Sequence, residues 1–476
     1  MLHIIRQQYL DVEVNGTESD ALLVTRRLAD YCQHALAPAL EQSFERAAPP
    51  NDYLYIERLE IDAGDLTLER LEQELVESVT RSLEKALRER MSTGRSLSAP
   101  PDSSQIRLRT RRQTIEEAFV YFLRTGGLPW SFRLPEGRSL EQIILESWRE
   151  AAKLGASLQI VIDSVFSLLA SATVRTRLIR QFSQEFLEQL FSLLSPVGIK
   201  ALYEVFQVLR RAAPSLIDLK DFERRMWETA FTGLKTGALP TAREIVSQTY
   251  RVMPVPPQQH AALKSLLESR WPGVTNITSD RFDGAELIPP KAPEAAMVQA
   301  GSIEQLEVRE GIYIDNAGLV LLHPFLPQFF EALGVAGEDK LLKPDRALCL
   351  LHYLATGQPV APEYELILPK ILCNSPLEAP VESNVELTTA ELEESAALLE
   401  AVIRHWEALR NTSPDGLRGT FLLRPGKVSL RADGDWALQV ESKSFDILLD
   451  QLPWGISMIK LPWMEKMMWV EWNREG

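Results

Sequence analysis

Cys349 and His352 stand three residues apart, the spacing at which two side chains share one helix face and could ligate a common ion. A structural zinc needs four ligands. Neither Cys32, Cys373 nor the remaining histidines supply a second pair at ligand spacing, so the residues read as a buried thiol beside a satisfied imidazole. His323 precedes Pro324, where a local backbone hydrogen bond is a simpler role than that of a general base. Asp433 and Asp435 flank Gly434 as aspartates do at a hairpin turn. The chain has no Gly-x-Ser-x-Gly nucleophile turn, no phosphate-cradling loop ending in Gly-Lys-Ser/Thr, no dinucleotide-binding glycine pattern after a strand and no His-Glu-x-x-His. Catalytic residues, cofactor and metal are therefore not expected, and the chain reads as non-enzymatic.

The chemistry that remains is that of contact. Trp436, Trp454, Trp463, Trp469 and Trp472 crowd the last 41 residues, with Met458, Met464, Met467 and Met468 among them. Two uses fit this stretch. It can be core, or it can form a patch that meets a partner, for which Trp454, Trp463, Trp469, Trp472, Met458 and Met464 are the candidates. Pro453 and Pro462 each stiffen the backbone just before a tryptophan, which suits either use.

Composition narrows the class. With 476 residues and 45% hydrophobic content, the chain has enough apolar surface for two or three domains with cores. A formal charge of -15 disfavours a nucleic-acid binder and a polybasic membrane attachment. The start, MLHIIRQQYLDVEV, breaks its apolar residues with Arg6, Gln7, Gln8 and Asp11, which does not make a signal-peptide core, and no later run reaches membrane-spanning length. Three widely spaced cysteines look like thiols of a reducing compartment.

The elements that must position the tail begin with a helical hairpin over 319–357. Leu321, Leu322, Phe325, Leu326, Phe329, Phe330 and Leu333 recur at helical spacing before Gly334. Pro344 and Asp345 then open a second helix that stops at Gly357. Upstream, His3–Val14 allows a strand or a helix, with the strand preferred. Thr17 and Ser19 cap a helix to about Phe44, Tyr53–Ile61 is strand-like, and Leu68–Leu87 carries one apolar stripe, an expected β-α-β-α module over 1–90. The Ser/Pro-rich stretch 91–113 reads as a solvated tether, with docking on an acidic surface as the alternative for its arginines. Residues 114–270 are helical throughout, and 271–310, rich in Pro, Gly, Asn and Asp, is the expected boundary to a C-terminal α+β domain at 311–476. There Val360–Ser375 is an apolar helical segment interrupted by Pro369, and Thr388 and Glu391 stand at capping-box spacing. Phe421–Arg424, Lys427–Arg431 and Trp436–Glu441 read as three strands of an antiparallel β-meander. The fold class is mainly α and multi-domain.

An internal echo runs through this order: LRTGGLP from Leu123, LKTGALP from Leu234 and LATGQP from Leu354. Each closes an apolar helix. Gly126, Gly237 and Gly357 are accordingly expected to be helix stops with positive φ, either by generic capping or as ends of a duplicated helical module.

The stretches LLHPFLPQFFEALG, KPDRALCLLHYLATGQ, LPKILCN and QLPWGISMIKLPWMEKMMWVEW resemble the C-terminal region of contractile injection system tape measure proteins, found with bacterial phage-tail-like particles. IIRQQYLDVEVNG, YIERLEIDAG and FLRTGGLPW resemble the same family. The resemblance implies an assembly component that sets tube and sheath length. It further implies tube, baseplate or spike proteins as partners, self-association also admitted, and a place in the bacterial cytoplasm or in the finished particle. The residues themselves sit awkwardly with a ruler: 29 prolines and 24 glycines, with β segments between helices, suit compact domains. A compact baseplate or tube-nucleating factor, or an adaptor or chaperone for apolar partner segments, are the competing readings.

Overall fold

The computed structural model describes residues 5, 8–47, 52–56, 58–67, 70–93, 106–135, 137–212, 219–235, 241–252, 257–275, 308–309, 311–383 and 385–472. The chain is mainly α-helical with a small C-terminal sheet, and it divides into two compact units: Met1–Ala118 with Trp130–Gly137, and Phe119–Pro129 with Arg138–Gly476.

In the first unit, α1 (Glu18–Tyr31) opens on a capping box in which Thr17 and Asp20 exchange bonds. It runs through a π turn at Cys32–Leu36 into α2 (Ala37–Ala47). Pro38 lies just past that turn; widening the helix, with Ala37 N–H reaching Cys32 O, relieves the clash a proline ring makes with the turn before it. The strand preferred over 3–14 is not formed where the chain is described, since residues 8–15 have no regular structure. β1 (Asp52–Ile56) is shorter than expected and pairs antiparallel with β2 (Ile106–Thr110), which lies inside the stretch read as a tether. The order is therefore α-β-α-β, with α3 (Leu71–Thr93) between the strands. Leu83 and Leu87 of α3 close a small core with Leu36 and Leu40.

The second unit begins within α4 (Arg111–Thr125) and continues through α5 (Leu140–Lys153), α6 (Gln159–Leu168), α7 (Ala172–Gln181), α8 (Gln184–Leu194), α9 (Gly198–Ala212), α10 (Leu219–Lys235), α11 (Ala242–Val252) and α12 (Pro257–Arg270). Aromatic rings join them. Phe119, Trp148, Phe182 and Phe186 meet with centroids 4.2–6.0 Å apart. Phe191, Trp227 and Phe231 form a second group.

After β3 (Ile312–Ile314) the expected first arm of the hairpin is a fully buried 3-10 turn, Ala317–Leu322, followed by the two-turn α13 (Leu326–Ala332). A small β hairpin, β4 (Ala336–Gly337) with β5 (Lys340–Leu341), leads to α14 (Pro344–Thr356). Pro369 does not interrupt its segment: it is the third residue of α15 (Ile367–Leu372), where its missing N–H would have had no partner. Thr388 and Glu391 form their capping box at the start of α16 (Thr389–His405), and α17 (Pro414–Leu417) follows.

Phe421–Arg424 is not a strand. Arg418–Leu422 is a π turn that buries Phe421 against Trp406, so the strand-like composition of this stretch reflects burial. The sheet has instead five strands in the order β3-β6-β7-β9-β8, with β6 at Gly426–Leu430, β7 at Trp436–Val440, β8 at Met458–Ile459 and β9 at Met468–Glu471. β7 and β9 run parallel and the other pairs antiparallel. Val428, Leu438 and Val470 are in register and buried on the core face. The half-buried Tyr313 and Lys427 and the exposed Gln439 and Glu471 line up on the other face.

The start of α16 yields a pH test. Bonds from Arg346 foremost, then from Thr388 N–H and hydroxyl, hold the Glu391 carboxyl down at about 2, against the opposing effect of burial. A depressed carboxylate stabilises the fold above its unfolded pKa and loses that contribution as pH falls through the folded one. Glu391→Gln keeps the capping geometry and removes the charge. The gap in urea midpoint between parent and variant should be constant near neutrality and close as pH falls from 4.5 toward 2; a gap independent of pH would refute the assignment.

Candidate functional site

Arg177, Glu363 and Lys370 are ionisable, and none of their side chains reaches solvent. Arg177 comes from α7, Glu363 from a 3-10 turn at Glu363–Glu365, and Lys370 from α15. All five guanidinium donors are used. Nε and Nη2 donate to the Glu363 carboxylate at 3.0 and 3.2 Å, Nη1 donates to Leu123 O and Arg124 O, and Nη2 also donates to Glu378 O. Lys370 Nζ donates to Glu363 Oε1 at 2.7 Å and to Leu377 O at 2.6 Å, while burial above all lowers its pKa. One carboxylate faces two cations, and the carbonyl dipoles supply the remaining negative potential.

Leu123 and Arg124 are at the end of α4, so this cluster sits on the first helix stop of the echo. Gly126 has φ +80°, its N–H donates to Phe122 O, and Thr125 Oγ1 accepts from Gly127 N–H. The stop at Gly357 repeats this atom for atom: φ +72°, N–H to Tyr353 O, and Thr356 Oγ1 accepting from Gln358 N–H. Arginine recurs too, since Arg418 Nε donates to Leu354 O at 3.1 Å as Arg177 Nη1 does to Leu123 O at 2.7 Å. These arginines lie 64 and 54 residues beyond the carbonyls they close. Gly237 lies outside the described residues.

The tail straps the core. Trp454 Nε1–H donates to Leu321 O, with its ring edge-on to Phe325, and Trp463 Nε1–H donates to Leu372 O beside Phe330. Trp472 is buried and donates to Asp446, which also binds Arg424 and Lys443 N–H. Met464 is buried. Trp469 and Met458 differ: they are cross-strand neighbours on the sheet face away from the core, Met458 is 54% exposed, and Arg431 lies 5.0 Å over the half-buried Trp469 ring. Asp435 has a role beyond its turn, accepting from Met467 N–H and, at 3.4 Å, from Trp469 Nε1.

The Cys349 thiol is buried, 3.7 Å from Glu382 O, and burial with nearby Asp345 and Glu382 pushes its pKa up to about 12. His352 is buried and bonds Glu365 at 2.8 Å. His323 Nδ1 lies 2.9 Å from Val320 O, and burial lowers its pKa against the effect of that bond. No group of three or more metal-ligating residues occurs among the described residues, and no described helix is long and apolar enough to cross a membrane. Neither Arg177 nor Arg418 carries a local sequence signal. The echo around Gly126 and Gly357 was the only clue to where they bind.

A family model described as contractile injection system tape measure protein matches residues 2–472. No curated protein and no solved structure matches.

The two stops differ in one measurable respect. A Cβ on Gly126 would fall 2.4 Å from Glu363 Oε1, whereas on Gly357 its nearest neighbour is Arg418 Nη1 at 3.4 Å. Both alanine variants meet the left-handed backbone penalty of about 1 kcal/mol, and Gly126→Ala also forces the buried carboxylate aside. Urea denaturation should show Gly126→Ala to be the more destabilising by about 2 kcal/mol or more. Equal losses would mean that the contact with Glu363 is unimportant. A second expectation concerns the seam formed by Arg177, Arg180 and Gln181 with Glu363, Glu378, Pro380 and Val381. Proteolytic cleavage between residues 275 and 308 should leave two fragments that co-elute on gel filtration and separate only in denaturant.

Proposed function

The chain belongs to the contractile injection system tape measure protein family, and from that premise we propose that it works as a folded assembly factor, presenting its surface to tube, baseplate or spike proteins. Family membership makes it a structural component of such a particle. On the proposed reading it controls tube and sheath assembly by binding, in the bacterial cytoplasm, and does not lay out its own contour as a measure.

The observation that carries this reading is the buried cluster of Arg177, Glu363 and Lys370. Arg177 and Glu363 are 186 residues apart, and drawing the chain out between them would expose and separate charges that bond one another without solvent. Helix length supports it: the longest described helix, Leu71–Thr93, has 23 residues and spans about 35 Å. The outward pair Trp469 and Met458 is the part of the aromatic tail best suited to a partner contact, because Trp472 is buried in the core and Trp454 and Trp463 pack against it. An adaptor that captures apolar segments would need a broader apolar surface than this pair offers. A homo-oligomer is compatible with the proposal.

The test is an insertion within 276–307. A helical insert of about 24 residues adds about 36 Å of contour. For a folded factor, particles seen by electron microscopy should keep their length distribution. Particles uniformly longer by about the inserted contour would overturn the proposal in favour of a physical ruler.

A further inference from the structure

The equivalence of the two helix stops extends to what covers them, and there it breaks. At the first stop, Glu363 sets its carboxylate against Gly126 and Arg177, and Tyr364 lies edge-on to Phe122, 5.9 Å between centroids. Glutamate followed by an aromatic residue, at the start of a short helical turn, therefore fills the seat. At the second stop Tyr353 stands where Phe122 stands, Gly357 where Gly126 stands, and Arg418 where Arg177 stands.

Among the described residues, no glutamate fills that second seat. The three atoms nearest a Cβ on Gly357 all belong to Arg418, at 3.4–3.6 Å, where Gly126 meets Glu363 first. Arg418 Nη1 is bound by Asp415, three residues before it and 89% exposed, while Arg418 itself retains 13% exposure against none for Arg177. Tyr353 is half-buried, with Arg418 5.4 Å from its ring centroid, and Phe122 is buried. Beyond the stop, Val360 is 50% exposed, and Leu423, whose N–H donates to Arg418 O, is 40% exposed. A seat with an arginine and a half-covered aromatic ring matches what Glu363 and Tyr364 present to the first one.

We propose that the surface formed by Gly357, Arg418 and Tyr353 docks a segment of another protein chain carrying a glutamate followed by an aromatic residue, held as Glu363 and Tyr364 are held at Gly126 and Arg177. The partner's carboxylate displaces the solvent-exposed Asp415 from the guanidinium, and its ring covers Tyr353. A second copy of this chain cannot offer Glu363, which is buried in its own seat. The seat stands whether the chain nucleates assembly or measures it.

The probe is a fluorescein-labelled peptide with the sequence of residues 361–366, Ala-Pro-Glu-Tyr-Glu-Leu, titrated with the full chain and followed by anisotropy. Saturable binding with Kd below about 1 mM is expected. Changing the peptide glutamate that corresponds to Glu363 to glutamine, or the tyrosine to alanine, should weaken it at least about tenfold, without altering the protein. Val360→Glu, at an exposed position three residues past Gly357, should weaken it similarly, with circular dichroism unchanged. A photoreactive phenylalanine analogue in place of the peptide tyrosine should label the segments around Tyr353 and Arg418. Absence of saturation below about 1 mM, equal affinity of the glutamine peptide, or labelling around Phe122 would each overturn the proposal. So would concentration-dependent self-association that Val360→Glu abolishes, which would assign the seat to a second copy.

Discussion

Three ionised side chains without solvent are tolerable only if their bonding capacity is consumed, and the cluster of Arg177, Glu363 and Lys370 comes close to that limit. The guanidinium has five donors and five acceptors, four of its contacts falling between 2.7 and 3.2 Å. Such a cluster is a poor source of net stability, since desolvation offsets most of the Coulomb gain, but breaking one member costs about 3–5 kcal/mol. What it enforces is placement. Arg177, Arg180 and Gln181 fall at i, i+3 and i+4 on α7, so one helix face carries all three polar contacts to the segment that includes Glu378, Pro380 and Val381. The end of α4, the face of α7, the turn at Glu363 and the last turn of α15 are thereby tied to one point.

Features decided within a few residues were legible in the sequence. Thr388 with Glu391 bonds as its spacing predicts, Pro344 opens α14, and the glycines after α4 and α14 take left-handed backbone, because each depends on chemistry inside one turn. Features decided by distant pairing were not. β2 lies in a stretch whose serines, prolines and arginines look solvated, and pairing with the strand at Asp52–Ile56 is what gives Ile106–Thr110 its conformation. Phe421 and Leu422 have strand-like composition because they are buried, and burial on a π turn selects the same side chains. The parallel pairing of β7 with β9 needs the chain to cross over between them, which alternating hydrophobicity does not encode.

The site divides along the same line. Thr-Gly after an apolar helix marks the stop, but the arginine that closes it arrives from 54 or 64 residues away, Arg177 on an ordinary amphipathic helix and Arg418 at the start of a π turn. Glu363 gives no warning either. In Pro-Glu-Tyr-Glu it resembles any acidic turn, and it is Glu365 that remains exposed and bonds His352. The tryptophans were conspicuous by type, yet their use turns on which face of a strand each one occupies. Trp469 lies on β9 and Trp472 just past its end, and the alternation of the chain there sends Trp472 into the core and leaves Trp469 beside Met458.

These constraints bear on how a member of this family can influence length. A ruler conveys length through contour, so its informative quantity is residues per ångström, and every tertiary contact between distant segments subtracts from it. Here Arg177 meets Glu363 across 186 residues, Gln181 meets Val381 across 200, and Trp454 returns over 133 residues to Leu321. Each closure stores chain that cannot be drawn out without losing those bonds, the first of them fully buried. On the proposed reading a chain folded in this way acts on length through when and where it binds, which places the functional burden on its surface. The surface residues that stand out are those whose internal counterparts are covered: Tyr353 and Arg418 beside Gly357, against Phe122 and Arg177 beside Gly126.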